Sequence, residues 1–349
     1  MTGRRRKVVR LNAETMPVLD VERSVVESVG ADLVGIEGDT AETIAAAARD
    51  ADGLIVIASK VRAAVMDRLE RCLIVARCGT GIDNIDVDAA TEHGIVVTNI
   101  PDFCIDEMAD HTMALLLALA RRIPSMHAAT LGGRWDARYD PSLRRLRGRT
   151  LGLVGFGNTA RAVARRAEAF GLRVIGHHHR YPSGSTLHGT PMLTLEELLE
   201  NSDYVSLHVP LTEVTAGMIS EPELRRMKPT AYLINIARGA VVDEDALALA
   251  LEEDWIAGAG IDVYHTTNVF EKYGLPPTHA LFRAPNIVFT PHAAACSVES
   301  LEEAKRRAAE QVVAVLRGEW PAHVCNEGVV PRESLRHVHP EAGLRVEGR

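Results

Sequence analysis

The chain has 349 residues, which is long enough for two domains of ordinary size. It carries 39 Lys and Arg against 47 Asp and Glu, a formal net charge of −8. This acidic balance argues against a nucleic-acid-binding protein and against a protein that binds membrane surfaces through a basic face. No apolar run approaches the roughly 18–20 residues that a membrane span needs.

The basic opening and the cysteines favour a cytoplasmic protein. No apolar stretch follows MTGRRRK, so we interpret this opening as a solvated tail rather than a signal peptide. The 5 cysteines are an odd number without a short spacing motif, which is typical of reduced thiols. Cys72 and Cys78 are six positions apart across a strand-like run, which predicts core thiols and no metal site.

Short apolar runs alternate with helix-like segments along the first part of the chain. We predict strands in KVVRLN (7–12), DLVGI (32–36), GLIVIAS (53–59), LIVARCG (73–79) and IVVTNI (95–100). A long helix is predicted from about 106 to 120. This alternation predicts an α/β fold, with a parallel sheet covered by helices on both faces.

A second series with the same alternation begins at TLGLVGFG (150–157). Its further predicted strands are RVIGHHH (173–179), YVSLHV (204–209), AYLINIA (231–237), AGAGIDV (257–263) and NIVFTPH (286–292). Helices are predicted near 158–170 and 243–252, and a last one near 298–316. Two consecutive series predict two similar domains with a cleft between them. The arginine-rich stretch 131–149 is either an arm that contacts a second subunit or a plain surface loop.

The segment VGFGNTA (154–160) follows an apolar strand and opens an amphipathic helix. Gly155 allows the tight turn, and Gly157 allows the backbone to approach a pyrophosphate. Asn158 and Thr159 begin the helix, whose N-terminal N–H groups and positive dipole end favour phosphate. Ala160 takes the third small position. A glycine pattern placed between a strand and a helix predicts dinucleotide binding more strongly than a plain structural turn.

The tip of the next strand reads HHHR where a nucleotide-binding domain usually carries an acidic residue. His178, His179 and Arg180 cannot bond the two ribose hydroxyls of NAD as a carboxylate does. They can donate to a 2′-phosphate, because Arg matches phosphate geometry and a protonated His adds charge. This favours NADP over NAD as the cofactor, although a solvated strand tip with relaxed cofactor choice remains open. Neighbouring histidines on a strand point to opposite faces and are poor joint metal ligands.

Five motifs occur in one order: ARCGTGIDNIDVDAATEHGIVVTNIPDFCIDEMADHT (76–112), the glycine loop, SLHVPLTEVT (206–215), LINIARGAVVDEDAL (233–247) and TPHAA (290–294). Together they resemble the D-isomer-specific 2-hydroxyacid dehydrogenases, and among these the branch of the C-terminal binding proteins and their bacterial relatives. The resemblance runs from about residue 50 to 326. It implies an NAD(P)-dependent oxidoreductase that interconverts a 2-oxo acid and a 2-hydroxy acid, and a homodimer.

The resemblance also implies how the domains divide the chain. Residues 1–101 and 296–330 would form a doubly wound, flavodoxin-like substrate domain. Residues 102–295 would form an inserted Rossmann domain that binds the dinucleotide. Residues 331–349 are expected to be a loose tail.

The resemblance assigns roles to individual residues. Arg238 would clamp the substrate carboxylate, and His292 would be the general acid/base. Asp262 would lie beside the nicotinamide. Positions that match the family's carboxylate-binding loop are Arg77, Gly79 and Gly81, and further cofactor-contacting positions are Thr112, Val209, Pro210, Thr215, Ile236 and Ala237, together with Arg238 and His292 themselves.

The sequence departs from the family at the active site. The family glutamate lies five residues after the match to Asp262, and this position is Thr267. Thr267 carries no charge to orient the imidazole or to favour its protonation. Glu271 or His265 are candidates to replace the missing glutamate. Ala295 stands where an aromatic residue is usual, so the pocket is expected to admit a bulkier acid.

Three functions follow from this pattern. The first is an oxidoreductase for a 2-oxo acid with NADP or NAD. The second is a dinucleotide-binding scaffold with low activity. The third is an altered enzyme of a specialised pathway that acts on a bulky or phosphonate acid. Cys296, next to Ala295, is interpreted as a packed residue rather than a nucleophile.

Overall fold

The computed structural model describes residues 4–38, 40–267 and 277–337. The chain divides into two compact units. The first unit comprises Met1–Phe103 with Val298–Arg349, and the second comprises Cys104–Ser297. No helix of the described part of the chain is long and apolar enough to cross a membrane.

The first unit contains a five-stranded parallel sheet. Its elements before residue 103 are β1 (Lys7–Arg10), α1 (Asp20–Glu27), β2 (Asp32–Gly35), α2 (Ala41–Ala48), β3 (Gly53–Val56), α3 (Ala63–Met66), β4 (Ile74–Arg77), α4 (Val87–Glu92) and β5 (Val96–Thr98). The strand order β2-β1-β3-β4-β5 is the flavodoxin-like doubly wound order. The predicted α/β fold with parallel sheets is confirmed.

The second unit begins with a long helix and contains a six-stranded parallel sheet. Its helices are α5 (Ile105–Ala120), α6 (Ile123–Leu131), α7 (Asn158–Ala169), α8 (Leu195–Asn201), α9 (Glu221–Arg226) and α10 (Glu244–Glu252). Its strands are β6 (Thr150–Val154), β7 (Arg173–His177), β8 (Thr186–Leu187), β9 (Thr190–Pro191), β10 (Tyr204–Leu207), β11 (Tyr232–Asn235), β12 (Gly258–Ile261) and β13 (Ile287–Phe289). Short 3₁₀ turns occupy Trp135–Tyr139, Gly239–Val241 and Ala280–Arg283.

The order of the second sheet positions a ligand site. The strands run β13-β12-β11-β10-β6-β7, and a bridge between Gly176 and Met192 extends the sheet beyond β7. The strand order therefore reverses at β6, because β7 lies on one side of β6 and β10 lies on the other. Dinucleotides bind at such a switch point, at the carboxyl ends of the strands.

Local sequence explains why the strands and helices form where they do. The central strands β3, β6, β10 and β12 are buried along their whole length, as expected for parallel strands with helices on both faces. Several helices begin at side-chain caps. Thr40 caps α2, Asp86 caps α4, Thr194 caps α8 and Asp243 caps α10, each by accepting a backbone N–H of the first turn.

The last helix, α11 (Val298–Leu316), returns to the first unit and packs on α1, β3 and β4. Of the tail expected at 331–349, the structure describes residues 331–337, and hydrogen bonds from Arg332 fix this part to the first unit. Arg332 donates from Nε to the carbonyl oxygen of His93 at 2.6 Å and from Nη1 to that of Leu69 at 2.7 Å. Residues 338–349 lie outside the described residues.

Candidate active site

The glycine turn after β6 has the geometry of a dinucleotide-binding loop. Gly155 has φ +85°, and a Cβ added there would lie 2.6 Å from the backbone oxygen of His208. Gly157 is the N-cap residue of α7, and no side chain caps this helix end. A Cβ on Gly157 would meet no other described residue within 4 Å. The open space above uncapped N–H groups therefore fits a pyrophosphate.

The tip of β7 holds its histidines in two environments. β7 ends at His177, whose Nδ1 lies 3.0 Å from the carbonyl oxygen of Leu193. The chain then turns, and the rings of His178 and His179 stack with centroids 4.8 Å apart. The expectation that neighbouring histidines point to opposite faces is wrong for this pair, because side chains alternate only inside a strand.

Arg180 lies against both stacked rings. Its backbone N–H donates to His178 Nδ1 at 3.2 Å, and its Nε donates to His179 Nε2 at 3.3 Å. Burial, and then the charges of His179 and Arg180, lower the pKa of His178. His178 is therefore neutral near pH 7, and the permanent positive charge at the tip belongs to Arg180. The role of His178 in binding a 2′-phosphate stays a prediction.

Arg238, Asp262 and His292 follow the adjacent strands β11, β12 and β13, so they lie at one edge of one sheet. Asn235 shapes the turn that carries the arginine. Its side chain accepts from the Ala237 N–H at 3.0 Å and donates to the Arg238 carbonyl oxygen at 2.9 Å. The parallel sheet thus gathers three residues that are far apart in sequence.

Asp262 is fully buried and organises the turn that carries the histidine. Its Oδ1 accepts from the Thr290 hydroxyl at 2.5 Å and the Ala293 N–H at 2.8 Å, and its Oδ2 accepts from the Ala294 N–H at 3.0 Å. The His292 N–H donates to the Asp262 backbone oxygen at 2.8 Å. His292 has φ +56°, a conformation that costs about 1–3 kcal/mol and persists where its surroundings determine it.

His111 on α5 belongs to this site, and sequence reasoning did not single it out. Its Nε2 lies 2.9 Å from Thr290 Oγ1 and 3.6 Å from Asp262 Oδ1. The only signal was its place beside Thr112 in a family-like motif. His111 and Thr290 are 179 positions apart, so no local spacing connects them. The imidazole supports the turn in which His292 lies.

The other predicted cofactor residues of the second unit differ in their burial and in their hydrogen-bond partners. A Cβ on Gly155 would lie 3.0 Å from the Val209 side chain, which places this valine at the glycine turn. Thr215 donates to the Pro210 carbonyl oxygen at 2.6 Å. Thr112 is fully buried and its hydroxyl donates to the Met108 carbonyl oxygen at 2.8 Å. The remaining positions are Asn158 and Thr159 at the start of α7, and the buried Ile236 and Ala237 after β11.

The predicted carboxylate-binding loop follows β4 in the first unit. Gly79 has φ +150°, and a Cβ added there would lie 2.5 Å from Nη1 of Arg77. The guanidinium also donates to the Cys78 carbonyl oxygen. The loop is fixed by a bond from the Ile100 N–H to the Gly79 carbonyl oxygen at 3.0 Å. Gly81 follows in the same loop, and its role in acid binding stays a prediction.

The segment that leads to Thr267 is held by the carboxylate of Glu244, from the start of α10. Glu244 is buried at the start of α10. It accepts from the His265 N–H at 2.6 Å, the Thr266 N–H at 3.2 Å and the Thr266 hydroxyl at 2.5 Å. Glu244 therefore shapes the backbone before Thr267. Glu271, the other candidate to replace the family glutamate, lies outside the described residues.

We expect Glu244→Gln to destabilise the protein by about 1–3 kcal/mol, because an amide cannot accept all three bonds and a buried donor loses its partner. Chemical denaturation measures this free energy of unfolding. Glu252→Gln, at an exposed position of the same helix, is the matched control and is expected to stay within about 0.5 kcal/mol. Equal stability of the two variants would mean that Glu244 does not hold this segment.

Comparison with known proteins identifies the family. Residues 113–294 match the NAD-binding domain of the D-isomer-specific 2-hydroxyacid dehydrogenases. The chain is 43% identical to the glyoxylate reductase of Korarchaeum cryptofilum, over 81% of this chain and 85% of that one. The chain belongs to the D-isomer-specific 2-hydroxyacid dehydrogenase family.

Two further relatives extend this comparison. The D-3-phosphoglycerate dehydrogenase of Methanocaldococcus jannaschii is 36% identical over 93% of this chain, which spans 61% of that protein. A crystal structure of the NADPH-dependent glyoxylate/hydroxypyruvate reductase of Sinorhizobium meliloti with NADP and malonate has a TM-score of 0.79 and 32% identity. The match covers 96% of this chain and 100% of that one.

Family membership confirms several predictions. This 2-hydroxyacid dehydrogenase-like protein is an oxidoreductase with a Rossmann NAD-binding domain. The narrower placement in the branch of the C-terminal binding proteins stays a prediction.

Cys296 differs from expectation in this family member. It is exposed rather than packed, because it lies in the turn that precedes α11. Partial burial of its thiol, and then the charge of Asp262, raise the pKa of Cys296. A thiol with a raised pKa is a poor nucleophile, so this aspect of the sequence interpretation agrees with the structure.

Proposed function

We propose that this chain reduces a 2-oxo acid to a 2-hydroxy acid and prefers NADPH as the hydride donor. One observation carries the reaction. Three adjacent strand ends place an arginine, a buried aspartate and a histidine at the sheet edge that also carries the glycine turn. An arginine binds and polarises an acid, and a histidine transfers a proton, which are the two functions that carbonyl reduction needs.

In this mechanism, Arg238 pairs with the substrate carboxylate and orients the neighbouring carbonyl. The nicotinamide supplies the hydride when it is bound. His292 donates the proton that the carbonyl oxygen takes up, and it accepts that proton in the reverse direction. Arg77, Gly79 and Gly81 are assigned to acid binding by the family resemblance.

Asp262 and His111 act through the position of His292. The three hydrogen bonds to the Asp262 carboxylate hold the turn from Thr290 to Ala294, and His111 supports Thr290 from α5. By the resemblance, Thr267 stands at the position of the family glutamate, whose charge would orient the imidazole of the general acid/base. We therefore expect a lower kcat than in enzymes that retain the glutamate.

The preference for NADPH is supported by the strand tip. Within 177–181 the side chains include no carboxylate that would repel a 2′-phosphate, and Arg180 supplies a permanent guanidinium. The tip follows the strand that pairs directly with β6, which ends at the glycine turn. The Sinorhizobium meliloti reductase, a relative with NADP bound, supports the same choice.

The affinity for NADPH is expected to rise as the pH falls. The pKa of His178 is lowered in the free protein, and a 2′-phosphate beside it would raise that pKa. Binding would then take up a proton between the two pKa values, and protonation favours the complex on the acidic side of this window. Fluorescence titration between about pH 5.5 and 7.5, roughly one unit either side of the ordinary histidine pKa, measures the effect.

NADH lacks the 2′-phosphate and is the control ligand for this pH dependence. Its dissociation constant is expected to change less than that of NADPH over the same range. A second control is His178→Asn, in which the pH dependence for NADPH should disappear. Parallel pH profiles for NADPH and NADH in the unmodified protein would contradict phosphate binding at His178.

A substrate screen tests the reaction itself. Glyoxylate, hydroxypyruvate, pyruvate and a bulky or phosphonate 2-oxo acid are each offered with NADPH, and absorbance at the nicotinamide band is followed. Turnover of the small acids supports the proposal. Turnover of only the bulky or phosphonate acid favours the specialised enzyme, which the sequence suggested from the small residue at Ala295. Tight NADPH binding without turnover of any acid favours the scaffold.

We also propose a homodimer. The stretch from α6 to the 3₁₀ turn exposes Leu131, Trp135 and Tyr139, with 77%, 68% and 73% of their surfaces accessible. Large apolar side chains clustered in one exposed segment are typical of a protein interface. This supports the subunit-contacting arm over a plain surface loop. Sedimentation velocity of the purified chain measures the oligomeric state.

A further inference from the structure

The second unit contains a cavity of about 270 Å³ that the reaction does not use. It is lined by residues that lie at or before the starts of β6, β10, β11, β12 and β13, among them Arg149, Tyr204, Tyr232, Ala257 and Asn286. The glycine turn, Arg238 and His292 follow the opposite ends of these strands. A strand of four or five residues spans roughly 15 Å, so the cavity and the dinucleotide site lie at opposite edges of the sheet.

Two phenol groups in the cavity wall have no protein partner. Tyr204 and Tyr232 pair across β10 and β11, and their rings stack with centroids 5.7 Å apart. Tyr204 is only 3% exposed. Among the described residues, neither hydroxyl has a hydrogen-bond partner. Tyr232 is half-buried. A hydroxyl that has no partner among the described residues can bond to a molecule in the cavity, so both phenols can contribute to a binding site.

Most charges around the cavity are already paired. The Arg122 guanidinium contacts Asp140 at 3.1 Å, Ser142 at 2.9 Å and Asn286 at 2.9 Å, which makes it a fixed part of the wall. Arg149 likewise pairs with Asp203 at 3.2 Å. These pairs leave little charge for a ligand.

Two lining charges of opposite sign form no ion pair within the described part of the chain. Arg144 donates to the carbonyl oxygen of Pro141 but contacts no carboxylate. Asp254, in the turn after α10, contacts no cation. Both residues are exposed, so water solvates their charges when the cavity holds no ligand. A cationic and an anionic group that line one cavity without pairing match a ligand that carries both charges.

We infer that this cavity is a binding site for a small amino acid in its zwitterionic form. Arg144 receives the carboxylate, Asp254 receives the ammonium group, and the hydroxyls of Tyr204 and Tyr232 complete the hydrogen bonds. The site is distinct from the one proposed for the 2-oxo acid. The same helix, α5, ends at the cavity with Ala120 and carries His111 beside Thr290.

Titration calorimetry on the full chain, saturated with NADPH and an excess of the reduced acid, tests the inference. The probes are glycine, alanine, aspartate and glutamate, the matching 2-hydroxy acids, and inorganic phosphate. At least one amino acid is expected to bind, and at least about tenfold more tightly than its hydroxy acid, because the ammonium–carboxylate pair is lost in the latter. Equal binding of the matched pair, or binding of phosphate alone, would overturn it.

Variants locate the binding in this cavity. We expect the affinity for the amino acid to fall by about tenfold or more in Arg144→Ala and in Asp254→Asn. We expect a smaller loss of affinity in Tyr232→Phe, which removes one neutral hydrogen bond. Arg145→Ala removes an exposed neighbouring charge that does not line the cavity and should leave the affinity unchanged. Thermal unfolding checks that each variant folds.

Two outcomes of the variant series would overturn the inference. The first is unchanged affinity in folded Arg144→Ala and Asp254→Asn. The second is no binding of any amino acid together with a crystal structure in which only water, or a side chain from a second copy, reaches the two phenols. The failure of this site would leave the proposed reduction untouched, because none of these residues belongs to the dinucleotide edge.

Discussion

Replacing His292 by Asn is expected to lower kcat for 2-oxo acid reduction by about 10²–10⁴-fold, the usual contribution of a general acid. Asparagine is the appropriate replacement because the backbone at this position has φ +56°, and Asn tolerates that conformation better than most residues. The bonds between Asp262 and the turn can then persist, and only the proton donor is lost. Steady-state kinetics with NADPH measures the change.

The control for this experiment is His127→Asn, which removes an exposed histidine of α6. It is expected to keep kcat within about twofold, as surface substitutions usually do. The dissociation constant of NADPH should be nearly the same in both variants, which separates chemistry from cofactor binding. If folded His292→Asn retained most of the kcat, the proton donor would lie elsewhere and the assigned role of His292 would be abandoned.

The second large effect concerns the cofactor. His178→Asp combined with Arg180→Ala is expected to shift the ratio of the NADPH and NADH dissociation constants by at least about 10²-fold towards NADH. The reason is that charge-assisted bonds to a 2′-phosphate are worth roughly 1.5–3 kcal/mol each, and 1.4 kcal/mol is a factor of ten. A carboxylate at the tip also gains the ribose hydroxyls of NADH. Nicotinamide fluorescence measures both constants.

Arg165→Ala is the matched control, since it removes one exposed positive charge from α7 without touching the strand tip. It is expected to leave the ratio of the NADPH and NADH dissociation constants unchanged. A general electrostatic effect would instead weaken NADPH binding in both variants. NADH binding as tight as that of NADPH in the unmodified chain would remove the proposed preference. The stacked histidines would then be a solvated strand tip.

Much of the fold was predictable because its determinants are local. The long buried strands are continuous apolar runs, and the helices between them have caps and amphipathic spacing that a short window reveals. The predicted helix near 298–316 coincides with α11, Val298–Leu316. The glycine turn was predictable for the same reason, since a strand, two glycines and a helix are neighbours in sequence.

The sequence by itself thus determined the α/β class, the dinucleotide turn and the family-like positions of Arg238, Asp262 and His292. Only the tertiary structure decided which distant groups meet. It brought His111 to Thr290 across 179 positions, and it stacked His178 on His179 where strand alternation ends. It also assembled one cavity from the starts of five strands. Local periodicity reports which face of an element is buried, but contacts between elements depend on how the parallel sheet orders its strands.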